Sequence, residues 1–297
     1  VLLRVLWVKT DYFWIGHILP LGTAAYVMKI LRRTKFFISL HGMDINLALR
    51  NKSRLTKRLM HKASFITVNS MYTASIVDKL VAENSILNVY PCPNVNESID
   101  SAIENNLISK YKLENKKNIL SVCRLVERKG LQRVIKLMPE LLKDDENTHY
   151  FIIGKGEYQE ELDRLIVDLG LQESVEVLNN INNEELKVFY RHADVFVMPT
   201  KELNGDIEGF GIVYLEAGLY NTPVIATPVG GATEAVIDKQ TGLLCQPNDL
   251  KENIIRLLTD VDYATKLGKQ ARELIKVKYS YSKQATKLID KLEDGGK

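Results

Sequence analysis

The sequence predicts an α/β protein built from two parallel-sheet domains, and three observations carry that prediction. The chain has 297 residues, longer than one ordinary domain and suited to two. Short apolar, β-rich runs alternate with helix-length segments almost throughout. Most of those runs are continuously apolar, as in strands covered by helices on both faces.

In chain order the predicted strands are YFWIGH (12–17), FFISLH (36–41), SFITVN (64–69) and LNVYPC (87–92). A polar, proline-bearing stretch without a strong period follows, PCPNVNESIDSAIENN (91–106), and marks the domain boundary. Six more strands come after it: NILSVC (118–123), HYFIIG (149–154), SVEVLN (174–179), DVFVMP (194–199), PVIAT (223–227) and GLLC (242–245). LQRVIKLMPELL and EYQEELDRLIVDLG are typical of the intervening helices. The expected domains are therefore 1–95 and 107–277, with YSYSKQATKLIDKLED inside a closing helix at 278–297.

Hydrophobic content of 45% with 26% charged residues is that of a globular chain. Cys92, Cys123 and Cys245 are far apart and lack metal-ligand spacing, so reduced thiols in a cytoplasmic protein are expected. No apolar run approaches the length of a spanning helix, and no signal peptide is evident. The opening VLLRVLWVKT has no initiator methionine, which reads as a fragment of a longer chain. Net charge is only +3, but the window 29–62 carries +9 and the remainder −6. That asymmetry predicts an anionic partner for the first domain alone.

The chemistry centres on EGFGIVYLE (208–216), where two glutamates stand eight positions apart around a glycine-flanked turn. FGIVYLEAGLY reads as a helix entered through Gly209 and Gly211 after the strand DVFVMP. First-turn amides of such a helix point outward unpaired and, with the helix dipole, favour an anion. Helical geometry separates Glu208 and Glu216 by roughly 10 Å, too far to share one proton. The layout suits an elongated ligand with an anionic middle and hydroxyl-rich ends, as in a nucleotide-sugar. Alone, a βα junction with two incidental acids would explain the pattern.

Three further features tell against that plainer explanation. RLVERKG (124–130) sets Arg124 and Lys129 at the carboxyl end of a strand, where open α/β sheets bind ligands. Two cations there can clamp a diphosphate and stabilise it as a leaving group. GGATEAV (230–236) follows another strand with a glycine pair, and HGMD (41–44) ends a strand of the first domain.

Together these residues resemble the retaining glycosyltransferases of family 4, with the GT-B architecture. The similar segments are SVCRLVERKG, FIIGKGEYQEEL, VLNNINNEEL, DVFVMPT, EGFGIVYLEA, PVIATPVGGATEAV and TGLLC, spanning about residues 118–250. In the first domain the match runs through ILPLG and HGMD only. The resemblance implies two Rossmann-like parallel-sheet domains facing a cleft, the first incomplete at its start. That would leave an unpaired apolar edge. It also implies roles. Glu208 would contact the transferred sugar, Glu216 the ribose, and Arg124 and Lys129 the diphosphate, backed by the amides of Gly211, Ile212 and Val213. His41 would lie beside sugar and acceptor, and Asn180–Ile181 would line the base pocket.

The implied reaction moves a hexose from a UDP- or GDP-sugar to a polysaccharide or glycolipid acceptor, retaining anomeric configuration, with no metal and no cofactor. The setting would be cell-envelope polysaccharide assembly, cytoplasmic or peripheral at the inner face of the membrane. Family members acting on membrane lipids carry a basic amphipathic helix, and LALRNKSRLTKRLMHKA (47–63) could serve as one, with Leu47, Leu55, Leu59 and Met60 beside its cations; a solvated basic helix explains the same pattern equally well. Nucleic acid is not an expected partner, because aromatic interleaving is missing. A phosphorylase of the same fold lacks support, since no cofactor-anchoring lysine motif is seen near the C-terminus. A non-catalytic nucleotide-sugar binding module is the alternative from another class.

This chain departs from the family where Cys123, Asn179 and Asn221 replace the usual glycine. Two motifs point elsewhere and are set aside. GKG (154–156) lacks the third glycine of a dinucleotide fingerprint, and DVD (260–262) falls between helical segments, where it supplies N-terminal caps.

Overall fold

A computed structural model describes residues 10–81, 85–94 and 96–294. The opening VLLRVLWVK lies outside them. The chain divides into two compact units: residues up to Pro91 together with the segment from Tyr281, and Cys92–Ser280.

The first unit alternates β1 (Tyr12–Ile15), α1 (Leu21–Arg32), β2 (Lys35–Leu40), α2 (Met43–Lys62), β3 (Ile66–Val68), α3 (Met71–Asp78) and β4 (Ile86–Asn88). The strands pair in parallel in the order β1-β2-β3-β4. Phe36, Ile38 and Leu40 of β2 are buried among Ile45, Leu59 and Ile66.

The second unit opens with α4 (Ser101–Tyr111) and then runs β5 (Lys117–Val122), α5 (Leu131–Asp144), β6 (Thr148–Ile153), α6 (Gln159–Asp168), β7 (Val175–Leu178) and α7 (Asn183–His192). It continues with β8 (Val195–Met198), α8 (Ile212–Leu219), β9 (Val224–Ala226), α9 (Ala232–Ala235), β10 (Leu243–Leu244), α10 (Leu250–Thr259) and α11 (Val261–Lys278). The final helix, α12 (Tyr281–Asp294), belongs to the first unit, where Gln284 Oε1 accepts the Tyr90 amide at 3.0 Å.

All ten strands expected from the sequence are present; β2, β5 and β6 keep the length of their apolar runs, displaced by one residue, and the other seven are shorter. DVD caps α11 as expected, the Asp260 carboxylate accepting the Tyr263 amide at 3.0 Å.

The six strands of the second sheet are parallel in the order β10-β9-β8-β5-β6-β7. From central β5 the chain builds outward through β6 and β7, then returns to lay β8 on the other side of β5, Ile119 level with Val195. The strand order therefore reverses between β5 and β8. Loops leaving those two strands diverge at their carboxyl ends, which opens the crevice where such sheets bind ligands.

The basic helix differs from its sequence reading. α2 spans Met43–Lys62 but breaks at Lys52 (φ −143°, ψ 53°). The Ala48 carbonyl, which a straight helix would give to the Lys52 amide, instead accepts from the Thr56 hydroxyl at 3.0 Å. Leu59 and Met60 are buried, and Leu55 packs on the same core. Only Leu47, 57% exposed, remains on the surface of the four. The apolar side of this helix is spent on the unit's own core, because a helix lying on a sheet must cover it.

Helix α8 carries Glu216 and packs against α11. Asn221, just beyond α8, holds φ 63°, and a Cβ at Gly268 would sit 1.8 Å from its carbonyl oxygen. We expect Gly268→Ala to destabilise the protein although alanine gains about 1 kcal/mol in helix propensity. The clash is with backbone, and overpacking of that kind costs about 1–3 kcal/mol or more. Urea unfolding should show a lower midpoint, and a raised one would mean α8 and α11 separate without cost.

Candidate functional site

The loop after β5 runs from Cys123 through a 3₁₀ turn, Glu127–Lys129, into α5. The loop after β8 is tied to it at two points: the Lys201 amide donates to the Arg128 carbonyl at 2.8 Å, and Lys201 Nζ meets Glu127 Oε1 at 2.5 Å. Within this second loop Leu203 and Asp206 exchange backbone hydrogen bonds of 3.1 and 2.9 Å around Asn204-Gly205. Both central residues have positive φ, 53° and 77°, the Asn-Gly turn that reverses a chain most tightly. That turn aims Asp206 and Glu208, two positions apart, back at the β5 loop.

Glu208 is 7% exposed and Lys129 9%. Lys129 Nζ donates to Glu208 Oε2 at 2.5 Å, and Arg128 Nη1 donates to the same oxygen at 3.0 Å. Arg128 Nε lies 2.9 Å from Asp206 Oδ2, an ion pair short of hydrogen-bond alignment. Burial pushes the Glu208 carboxyl up, but Lys129 and then Arg128 more than offset it, and it stays below the usual carboxylate range. Beside them, burial pushes the Cys123 thiol up to about 12, so it stays neutral.

The glycine pair supports this carboxylate from behind. The Gly231 amide donates to the Glu208 carbonyl at 2.8 Å. A Cβ at Gly230 would meet that carbonyl oxygen at 2.2 Å, and one at Gly231 the Gly209 oxygen at 2.2 Å. GGATEAV thus serves close backbone approach. GKG does the same for the other loop, the Leu125 amide donating to the Lys155 carbonyl at 2.9 Å.

The remaining expected residues fall around this pair unequally. Arg124 is exposed and makes no ion pair among the described residues. Gly211 precedes α8 at φ 82°, and Ile212 and Val213 form its first turn, whose amides have no intrahelical acceptor. Half-buried Glu216 accepts from the Tyr190 hydroxyl at 2.8 Å. It lines a pocket of about 230 Å³ with Lys187, Tyr220, Asn94 and Asn96. Asn180 is exposed and Ile181 half-buried, and neither lines that pocket.

His41, in the first unit, is exposed at the end of β2, its amide donating to Asp44 Oδ1 at 2.8 Å. It opens onto a pocket of about 510 Å³ walled by Ile18, Leu19, Met43 and Leu47. Of the three replaced glycines, only Asn221 has positive φ; Cys123 and Asn179 do not, so neither strains its loop.

Sequence reasoning missed Arg128, Asp206 and Tyr190. The spacing of Asp206 and Glu208 was the available signal, since alternate residues of an extended segment share a side.

The model of the family described as "Glycosyl transferases group 1" matches residues 103–274, which include both loops and both glutamates. The chain belongs to that family. It is 29% identical over 286 residues to a GDP-mannose-dependent alpha-(1-6)-phosphatidylinositol monomannoside mannosyltransferase of Mycobacterium tuberculosis, covering 93% of this chain and 74% of the relative. The Mycolicibacterium smegmatis enzyme of the same description is 32% identical over 243 residues, 80% of this chain and 63% of that one. Among solved structures, Anabaena HepE in complex with UDP and glucose superposes with a TM-score of 0.81 at 18% identity, over 96% of this chain and 78% of that one. Sucrose-phosphate synthase from Thermosynechococcus elongatus gives 0.77 at 22% identity, over 94% and 72%. The fold of this glycosyltransferase is GT-B, with two parallel-sheet domains of four and six strands.

Glu216 titrates opposite to Glu208. Burial raises its carboxyl, and the Tyr190 hydroxyl only partly offsets that. A folded-state pKa above the unfolded value of about 4.3 adds stability in acid and loses it as pH rises through the folded pKa. Glu216→Gln should therefore raise the melting temperature at pH 7–8, the gain fading below about pH 4. A variant melting no higher than the parent at pH 8 would show that the charged carboxylate is adequately solvated.

Proposed function

We propose that this glycosyltransferase moves a hexose, with retention, from a nucleoside-diphosphate sugar to a lipid-linked or saccharide acceptor. The observation that carries the reading is the Lys129–Glu208 pair held where the strand order reverses. A diphosphate entering that crevice would compete for Lys129, with Arg124 and the first-turn amides of α8 as its other partners. Glu208 would then be released to the sugar's hydroxyls, and Glu216 would take the ribose. These cations and amides neutralise the leaving group, so in this reading no resident metal or cofactor is required. The relatives' descriptions favour GDP-mannose as donor and a mannosylated phosphoinositide as acceptor. The apolar pocket beside His41 is of the kind a lipid-bearing acceptor would occupy.

Calorimetry with GDP and UDP tests the assignment. Arg124→Ala and Lys129→Ala each remove a charge-assisted contact worth roughly 1.5–3 kcal/mol, about tenfold or more in affinity. Glu216→Gln should weaken the bare nucleotide, whereas Glu208→Gln should keep it and lose turnover of GDP-mannose. Equal nucleotide losses in both glutamine variants would reverse the ligand's direction. Wild-type binding without any turnover would leave a binding module.

The membrane part of this reading moves from α2 to α1. Val27, Ile30 and Leu31 are exposed at helical spacing, with Arg32 and Arg33 at the same end of the helix. In this reading the contact is peripheral, at the inner face of the membrane; among the described residues no helix is long and apolar enough to cross one. Vesicles containing anionic lipid should co-sediment the protein at low salt, at about 1 kcal/mol per basic residue near the surface. Ile30→Ser with Leu31→Ser should weaken this. Binding indifferent to lipid charge, or to the double substitution, would dismiss α1 as the contact.

A further inference from the structure

Two cations share Glu208 Oε2, and they are not equivalent. Lys129 reaches it with a single ammonium on a flexible stem. Arg128 reaches it with Nη1 while its Nε faces Asp206, so one planar guanidinium spans two carboxylates, at 3.0 and 2.9 Å. A rigid fork held at both ends cannot turn toward a third group without leaving both. Arg128 is also 9% exposed, and its backbone is fixed by the Lys201 amide on its carbonyl. Glu208 Oε1 accepts no hydrogen bond among the described residues.

We propose that Arg128 is a positioning residue for Glu208. Anchored from behind by Asp206, it stays on Oε2 when a diphosphate draws Lys129 away, and it keeps Oε1 turned to the sugar. Without it, the departure of Lys129 would strand a buried carboxylate with no partner, an arrangement proteins pay heavily to maintain. Asp206 balances the second cation, so the four side chains carry no net charge while Lys129 is in place. This inference rests on the reading of Glu208 as the sugar-contacting carboxylate.

The charged and titratable groups that face Glu208 are Lys129, Arg128 and Cys123 from the β5 loop, Asp206 from its own loop, and Tyr214 from α8. Removing Arg128 therefore takes away one of two cations, and the carboxyl must titrate higher. ¹³C NMR of carboxyl-labelled protein follows this directly, with Glu208 assigned by the signal lost in Glu208→Gln. Arg128→Gln should raise its midpoint, and Arg128→Lys should return part of the shift. In the same variants GDP should bind within about twofold of wild type, because Arg128 is not a phosphate ligand. Turnover of GDP-mannose should fall about tenfold or more in Arg128→Gln, with KM for the donor moving less than kcat. Asp206→Asn should lower kcat while leaving GDP affinity in place.

An unmoved Glu208 midpoint in Arg128→Gln overturns the proposal. So does a loss of GDP affinity matching that of Lys129→Ala, since Arg128 would then be a diphosphate ligand. Should Arg128→Gln fail to fold, Asp206→Asn and Arg128→Lys carry the same two readouts. Failure of wild type to bind GDP or UDP would refute the proposed function, while the titration would still decide the role of Arg128.

Discussion

Four charged side chains, Arg128, Lys129, Asp206 and Glu208, are packed into the fork between the loops leaving β5 and β8. Three of them are less than one-tenth exposed. Ions taken out of water this far are tolerated only when each meets an opposite charge in good geometry. Much of the local architecture serves that requirement. The tight Asn204-Gly205 turn returns the chain so that Asp206 meets Arg128 and Glu208 meets both cations. Gly230 and Gly231 give up side chains so that backbone can lie against Glu208 and Gly209. The Lys201 amide and ammonium stitch the two loops together. Strand order supplies the place: only where β8 returns to the far side of β5 do two such loops leave from adjacent strands in opposite directions.

The two glutamates of EGFGIVYLE receive opposite treatment although they are close in sequence. Glu208 is deeply buried and over-provided with cations, so it stays ionised. Glu216 sits one turn into α8 with a phenolic hydroxyl as its only side-chain partner among the described residues, and burial holds its proton more tightly. A carboxylate with so few protein partners is one that a ligand's hydroxyls can satisfy. In the proposed reading Glu208 requires a different kind of exchange: Lys129 is drawn off before the carboxylate meets the sugar.

Strands were legible because a parallel sheet covered on both faces needs continuous apolar runs. NILSVC, HYFIIG and DVFVMP have no other stable use in water. The glycine- and cation-rich loops at the carboxyl ends of β5 and β8 were legible too, because they follow directly on those runs. What escaped was pairing. Arg124 and Lys129 look alike in RLVERKG, yet the 3₁₀ turn at Glu127–Lys129 turns Arg128 and Lys129 inward and leaves Arg124 in solvent. Which of three neighbouring cations goes inward depends on where Asp206 and Glu208 lie, and they are about eighty residues away.

What covers the apolar side of the basic helix escaped for a related reason. A helix wheel shows one apolar side but not what covers it. In α2 that side belongs to the sheet beneath, and Leu59 and Met60 are consumed there, leaving the cations on a surface with little apolar area of its own. In α1 the balance is reversed. Gly22, Ala25 and Met28 face inward, so small residues do part of the packing and Val27, Ile30 and Leu31 are left outside. A helix that packs inward through glycine and alanine lies close to its sheet and has larger side chains to spare for its outer surface. An apolar surface beside cations therefore belongs to the helix whose packing needs are met by its smallest residues.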